Sequence, residues 1–81
     1  MTNDAAASFV FEGTFEVESF HAFARRRAAR LSLSLAFGAA SPQAVALSVC
    51  GPAALVDAFE MACSLGPIDC LVIDVQRQEL E

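Results

Sequence analysis

The chain has 81 residues, of which 56% are hydrophobic, and its formal net charge is −5. This length suits one small domain, and the apolar content excludes an intrinsically disordered chain. The negative charge disfavours nucleic acid as a partner, because pairing Lys and Arg with phosphates dominates that kind of affinity. No apolar run is long enough for a membrane-spanning helix, and the first residues do not resemble a signal peptide. We therefore expect a cytoplasmic protein that has no membrane partner.

Three cysteines, Cys50, Cys63 and Cys70, are odd in number and lie in neither a C-x-x-C nor a Cys/His ligand spacing. We interpret them as reduced thiols that pack as small hydrophobic side chains. A metal site would need more ligands than His21 and a neighbouring glutamate supply. The sequence therefore predicts neither a metal nor a cofactor.

The first half of the chain predicts a strand, a helix and a second strand. Residues 8–12 alternate between aromatic and other side chains, which is typical of a strand with its Phe side inward. Residues 20–31 change to helical spacing, and Ser19 or Glu18 is the expected cap of that helix. Alternation returns at residues 33–37, which predicts the second strand.

The second half predicts a strand, a helix and a last strand. Residues 44–49 alternate and follow a turn at residues 38–43, so we expect a third strand antiparallel to the second. A helix comes next, with Pro52 at its tolerated first position. Residues 68–75 are rich in β-branched side chains and predict the last strand. A β-bulge near Asp74 is needed there if the apolar side chains are to share one face.

This element order is the split βαβ, ferredoxin-like arrangement of an α+β, two-layer sandwich, with one antiparallel sheet and both helices on a single face. We expect a flexible N-terminus at residues 1–7, a domain at residues 8–76 and a tail at residues 77–81. The closing pair, Leu80 and Glu81, resembles residues that expression vectors leave. The predicted open face of the sheet carries small side chains, which either contact solvent or pack against a second sheet in a dimer. It lacks the aromatic side chains with which RNA-binding domains of this topology stack bases.

The sequence resembles the acylphosphatase family over residues 8–76. The matching positions are Gly13, Phe15, Phe20, Phe23, Ala28, Leu31 and Leu33 in the first half, and Gly51, Val56, Ala58, Phe59, Cys63, Gly66, Pro67, Cys70, Val72 and Val75 in the second. The resemblance implies hydrolysis of the carboxyl-phosphate bond of acyl phosphates. In that family backbone amides and an Arg hold the phosphate, and an Asn positions the attacking water. Such chemistry depends mostly on positioning and charge stabilisation.

The departures from the family pattern fall at the positions that carry this chemistry. His21 stands where the family has its Arg, and Ala39 stands where it has its Asn. Two loop glycines are replaced by Val17 and Ser19. We therefore predict an acylphosphatase-like domain without the catalytic Arg and Asn, which acts as a non-catalytic binding or self-association module. The alternative is a divergent acylphosphatase.

The candidate anion-binding loop joins the first strand to the first helix, where free backbone N–H groups and the helix dipole favour an anion. It consists of Phe15, Glu16, Val17, Glu18, Ser19, Phe20 and His21. The expected ligand is a small anion or an acyl phosphate, although Glu16 and Glu18 place two negative charges beside it.

Arg25, Arg26 and Arg30 cluster in the second half of the first helix, where the dipole favours cations. They form either a solvated helix face or a docking surface for a homodimer or an acidic protein partner. A regulatory module that pairs edge to edge and binds a metabolite between subunits is a third hypothesis.

Overall fold

The computed structural model describes residues 4–80. The elements are β1 (Asp4–Thr14), α1 (Val17–Arg30), β2 (Ser34–Ser41), β3 (Ala44–Pro52), α2 (Ala53–Leu65) and β4 (Leu71–Leu80). The strands form one sheet in the order β2-β3-β1-β4, and every neighbouring pair is antiparallel. Both helices cover one face of this sheet. The predicted α+β, ferredoxin-like fold is confirmed.

Phenylalanine side chains form the centre of the core, which lies between the sheet and the helices. Phe9 and Phe11 project from β1, Phe20 from α1 and Phe59 from α2, and each is at most 1% exposed. The ring of Phe11 lies 5.6 Å from that of Phe9 and 5.4 Å from that of Phe20. Rings in this distance range attract each other beyond the free energy of burying their apolar area. The predicted inward Phe side of β1 is therefore correct.

The prediction of a flexible N-terminus is wrong for residues 4–7. These residues begin β1 and pair with β3, from Asp4 opposite Pro52 to Ala7 opposite Val49. Ala7 is completely buried. Alanine is less frequent in strands than β-branched residues are, but pairing in the sheet and burial against the core outweigh this low strand propensity. Residues 1–3 lie outside the described part of the chain.

The predicted tail at residues 77–81 is also wrong as far as residue 80. β4 continues to Leu80, which pairs with Ala6, and Arg77 pairs with Phe9. The sequence pattern did not indicate this continuation, because Arg77 occupies an inward position at which strands usually carry an apolar residue. Its guanidinium carbon lies 5.5 Å from the centre of the Phe9 ring, and the charged group reaches carboxylates of the helix layer instead of the core. Glu81 lies outside the described residues.

Both helices begin at residues other than the predicted ones. α1 starts at Val17 instead of Phe20, and Glu16 is its N-cap without a side-chain hydrogen bond. Ser19, a predicted cap, lies inside the first turn because no glycine or proline delays the helix. α2 starts at Ala53, so Pro52 is its N-cap and not its first helical residue.

The β-bulge predicted near Asp74 is confirmed. Glu12 pairs with Asp74 whereas the next residue, Gly13, pairs with Val72, so Ile73 is the extra residue of β4. The bulge brings Val72 and Val75 to the same face, where both pack against the core.

Arg77 joins β4 to α2 through a group of carboxylates. Its Nη1 donates to Asp57 at 2.9 Å and to Glu60 at 2.7 Å, and its Nε donates to Glu79. Hydrogen bonds to Glu60 and Asp57 raise the pKa of Arg77 above its ordinary value. A raised arginine pKa contributes stability that is present at neutral pH and is lost only as the pH rises through that value.

Replacing Arg77 by Ala is expected to lower the free energy of unfolding by about 1–2 kcal/mol, since the network is partly exposed and screened by solvent. Arg77→Met, which keeps an unbranched apolar side chain at this half-buried position, should recover part of this loss. Urea denaturation of both variants checks the prediction. Equal stability of wild type and Arg77→Ala would contradict it.

Candidate functional site

The connection between β1 and α1 is a two-residue loop held by aromatic packing. Only Phe15 and Glu16 lie between the two elements. Phe15 is 5% exposed, and its ring meets that of Phe20 edge to face with 4.9 Å between the centroids. The start of α1 is therefore fixed against the core, so the backbone of this end of the molecule is preorganised.

Part of the backbone at this end is already hydrogen-bonded to the β2–β3 turn. The N–H of Gly13 donates to the carbonyl of Gln43 at 3.0 Å, and that of Phe15 donates to Pro42 at 2.8 Å. The N–H of Phe20 donates to Glu16 at 2.9 Å as the first helical bond. The amides of residues 16–19 are left as the donors that a helix start presents. At this end of the described chain, the first turn of α1 therefore presents the backbone donors available to an anion.

An exposed carboxylate that belongs to the protein itself lies at that first turn. The hydroxyl of Ser19 donates to Oδ1 of Asp69 at 2.8 Å, and the neighbouring Cys70 thiol lies 3.6 Å from the Glu16 carbonyl oxygen. With Glu16 and Glu18, Asp69 makes three carboxylates at the start of α1. A helix N-terminus favours negative charge, and here the protein's own side chains supply it.

Sequence reasoning missed Asp69. It lies 50 residues from Ser19 along the chain, in the connection between α2 and β4. The contact depends on how that connection returns beside α1, and no local sequence signal encodes this. The predicted packing of both helices on one face would have been the only basis for suspecting it.

His21 does not lie in the loop but in the second turn of α1. Its ring packs on Phe37 of β2, with 4.0 Å between the centroids and an interplanar angle of 31°. Its Nε2 atom is buried and has no hydrogen-bond partner. The guanidinium carbon of Arg25 lies 5.6 Å from the centre of the same Phe37 ring. This imidazole therefore contacts a strand side chain, and its described contacts do not include the first turn of α1.

Ala39 lies on β2 within an irregularity of the β2–β3 pairing. Phe37 pairs with Leu47 and Ala40 pairs with Val45, so two residues of β2 face one residue of β3. Ala39 is exposed, and its methyl group offers no hydrogen bond. His21 contacts Phe37, which lies two residues before Ala39 on the same strand. None of the described contacts brings His21 closer to Ala39.

The seven residues of the candidate loop therefore divide into three groups. Phe15 and Phe20 belong to the core, and Glu16 and Glu18 are exposed. The rest, Val17, Ser19 and His21, are half-buried on α1. The structure does not bring these seven side chains together around a common point.

Two of the three thiols, Cys63 and Cys70, are buried. Burial raises the pKa of the Cys63 thiol to about 12. Burial also raises the pKa of Cys70, which lies beside the start of α1. Both behave as the small hydrophobic residues that were predicted, whereas Cys50 is exposed on β3 and that prediction is wrong for it. Within residues 4–80 no three His, Cys, Asp or Glu side chains gather as a metal site, and no helix has the length and hydropathy to cross a membrane.

Comparison with solved structures gives strong matches to acylphosphatases. An acylphosphatase from Coxiella burnetii matches with a TM-score of 0.88 and 22% identity, over 98% of this chain and 83% of that one. An acylphosphatase from Bacillus subtilis matches with a TM-score of 0.85 and 18% identity, over 94% of this chain and 84% of that one. Full-length HypF, in a phosphate- and nucleotide-bound form, matches with a TM-score of 0.86 and 18% identity, over all of this chain and 11% of that one. No family model and no curated protein matches the sequence.

The element order and these matches together define the fold. The described residues form an open-sheet, ferredoxin-like α+β sandwich. Within that class the fold is acylphosphatase-like, since two of the matching structures are acylphosphatases aligned over nearly the whole of this chain.

Proposed function

We propose that this domain is a non-catalytic, cytoplasmic acylphosphatase-like module that acts by binding or self-association. The observation that carries the proposal is the Ser19–Asp69 hydrogen bond, which places one of the protein's own carboxylates at the start of α1. Glu16 and Glu18 add two more negative charges there. An incoming phosphate would meet repulsion at the start of α1, where backbone amides remain available to it.

The two family positions support the same proposal. Phosphoryl transfer needs donors aimed at the oxygens on which charge develops, and one such donor is typically worth about 3–4 kcal/mol. His21 is packed on Phe37 and cannot form the paired hydrogen bonds of a guanidinium. Ala39 cannot orient a water molecule. The three free thiols support the cytoplasmic location, because disulfides are rare in that compartment.

Incubation of the purified protein with an aryl acyl phosphate is expected to release no phosphate above the uncatalysed rate. The reason is that neither the charge-stabilising nor the water-orienting side chain is present. Colorimetric phosphate release, with an active acylphosphatase assayed in parallel, makes the measurement. Turnover on the order of hundreds per second, within the usual range of enzymes, would overturn the proposal.

A divergent acylphosphatase is the second candidate, and one observation favours it. Nε2 of His21 is a buried nitrogen without a hydrogen-bond partner, so a ligand that satisfied it would recover a lost interaction. This candidate requires phosphate release by the wild type that disappears in His21→Ala. Phosphate release that persists in His21→Ala would assign the activity to other residues.

A further inference from the structure

We propose that the partner of this module is a second copy of the chain, docked head to tail. The free edge of β4 in one copy pairs with the free edge of β2 in the next, and the sheet continues from copy to copy. The inference rests on the proposed function, because it names the partner in the binding or self-association role.

Both edges of the sheet are available for pairing. Within residues 4–80, β2 pairs only with β3 and β4 pairs only with β1. β2 contains eight residues and none is charged, so it lacks the charged side chains that commonly protect an edge strand. β4 contains ten residues. Unpaired N–H and C=O groups along such edges are templates for another strand.

The strand directions permit head-to-tail pairing without inverting a copy. β2 and β1 are each antiparallel to β3, and β4 is antiparallel to β1, so β2 and β4 run in opposite directions. Moving a copy sideways in the plane of the sheet therefore brings β4 against β2 as an antiparallel pair. The helices of both copies then lie on the same face, with α2 of one beside α1 of the next.

The charges of the two edges are complementary. We call β2 with α1 the basic edge, and β4 with α2 the acidic edge. The basic edge carries four arginines and one glutamate, a formal charge of +3. The acidic edge carries four carboxylates and one arginine, a formal charge of −3. The ion pairs found among residues 4–80 all involve Arg77, so the arginines of α1 have no internal carboxylate partner in that part of the chain.

Symmetric pairing is disfavoured by the same charges. A β2–β2 dimer would place two copies of α1 side by side, with eight arginines in one surface. A β4–β4 dimer would do the same with two acidic copies of α2. Like charges across an interface oppose association, whereas the head-to-tail arrangement brings together two edges of opposite net charge.

Exposed apolar side chains are concentrated toward the acidic edge. Within residues 4–80 the exposed large apolar side chains comprise Met61, Leu65, Ile68, Leu71, Ile73 and Leu80, and all of them lie on α2, on β4 or between the two. Ile73 is 74% exposed and Leu71 is 61% exposed on the edge strand itself. Burying these groups would supply the apolar contact that strand pairing alone lacks.

A head-to-tail contact does not close on itself, so the expected product is an open chain of copies. Sedimentation velocity from about 10 μM to 1 mM should show a weight-average mass that rises beyond a dimer. Raising NaCl from about 0.02 to 0.5 M should lower the association constant about tenfold, because salt screens the charges. A monomer at every concentration in low salt would overturn the inference.

Two variants identify which edges are used. Arg25→Glu with Ala36→Glu brings the formal net charge of the basic edge to zero. Ile73→Lys with Asp74→Lys does the same for the acidic edge. All four of these side chains are exposed. Each variant alone should be monomeric. Their equimolar mixture should form a 1:1 dimer that does not grow, because one variant keeps an intact acidic edge and the other an intact basic edge.

The remaining outcomes overturn the inference in recognisable ways. Dimers of the Ile73→Lys/Asp74→Lys variant alone would indicate β2–β2 pairing, and dimers of the other variant alone would indicate β4–β4 pairing. Circular dichroism checks that both variants are folded. The acyl phosphate assay is independent of these results: monomers without turnover overturn only the inference, and assembly with turnover overturns only the non-catalytic role.

Discussion

Substituting Phe20 by Ala is expected to lower the free energy of unfolding by about 3–5 kcal/mol, the usual cost of truncating a buried aromatic side chain. Phe20 is completely buried and lies 5.4 Å from the Phe11 ring and 4.9 Å from the Phe15 ring. Domains of this size have a total stability of only about 4–12 kcal/mol. Most of the stability margin could therefore be lost at this single position. Chemical denaturation with a matched wild-type control measures the change.

Phe23→Ala is the control for this prediction. It removes the same ring from the same helix, but Phe23 is only half-buried, and its ring lies 5.7 Å from the Arg27 guanidinium carbon. We expect a loss of about 1–2 kcal/mol there, since less apolar area leaves water on folding. Equal losses for the two variants would show that Phe20 is not the centre of the core.

Phe20 also connects the core to the candidate site, because Phe15 packs on it immediately before α1. A Phe20→Ala variant that remains folded at low temperature should therefore show increased mobility at residues 15–19. Hydrogen exchange of those amides, compared with amides in β3, separates a local effect from a global one.

The fold was predictable from the sequence because its periodicities are strong. Alternation around Phe9 and Phe11 and the β-bulge near Asp74 were read from side-chain pattern alone, and both are present. The ends of the elements were harder to predict. Ala7 is small and Arg77 is charged, so neither gives the apolar signal of a strand, yet pairing with neighbouring strands holds both in the sheet.

The site was less predictable, because its decisive features are contacts between distant parts of the chain. The substitutions at His21 and Ala39 were visible by alignment to a family pattern. That His21 packs on Phe37, and that Asp69 receives a hydrogen bond from Ser19, depends on the tertiary structure. The early start of α1 at Val17 also changes the site, since it converts most of the expected loop into helix.

Removing the three carboxylates at the start of α1 is expected to create phosphate affinity that the wild type lacks. The variant combines Glu16→Gln, Glu18→Gln and Asp69→Asn, and the side-chain amide introduced at position 69 can still accept the Ser19 hydrogen bond. A unit charge near an anion in water-like surroundings costs about 1 kcal/mol at ~4 Å. Three such charges give about 3 kcal/mol, or on the order of a hundredfold in dissociation constant. A titration of amide shifts at residues 16–19 with inorganic phosphate measures the gain.

The control for that variant changes the net charge equally at positions outside the first turn of α1, through Asp4→Asn, Asp74→Asn and Glu79→Gln. A comparable gain in the control would mean that overall charge, and not the three local carboxylates, keeps phosphate away. Adding His21→Arg to the first variant, which places a guanidinium in the second turn of α1, should strengthen binding by about 1.5–3 kcal/mol more, the usual contribution of hydrogen bonds to charged groups. Binding of phosphate by the wild type at low millimolar concentration would contradict the prediction. The three carboxylates at the start of α1 would then not exclude the ligand.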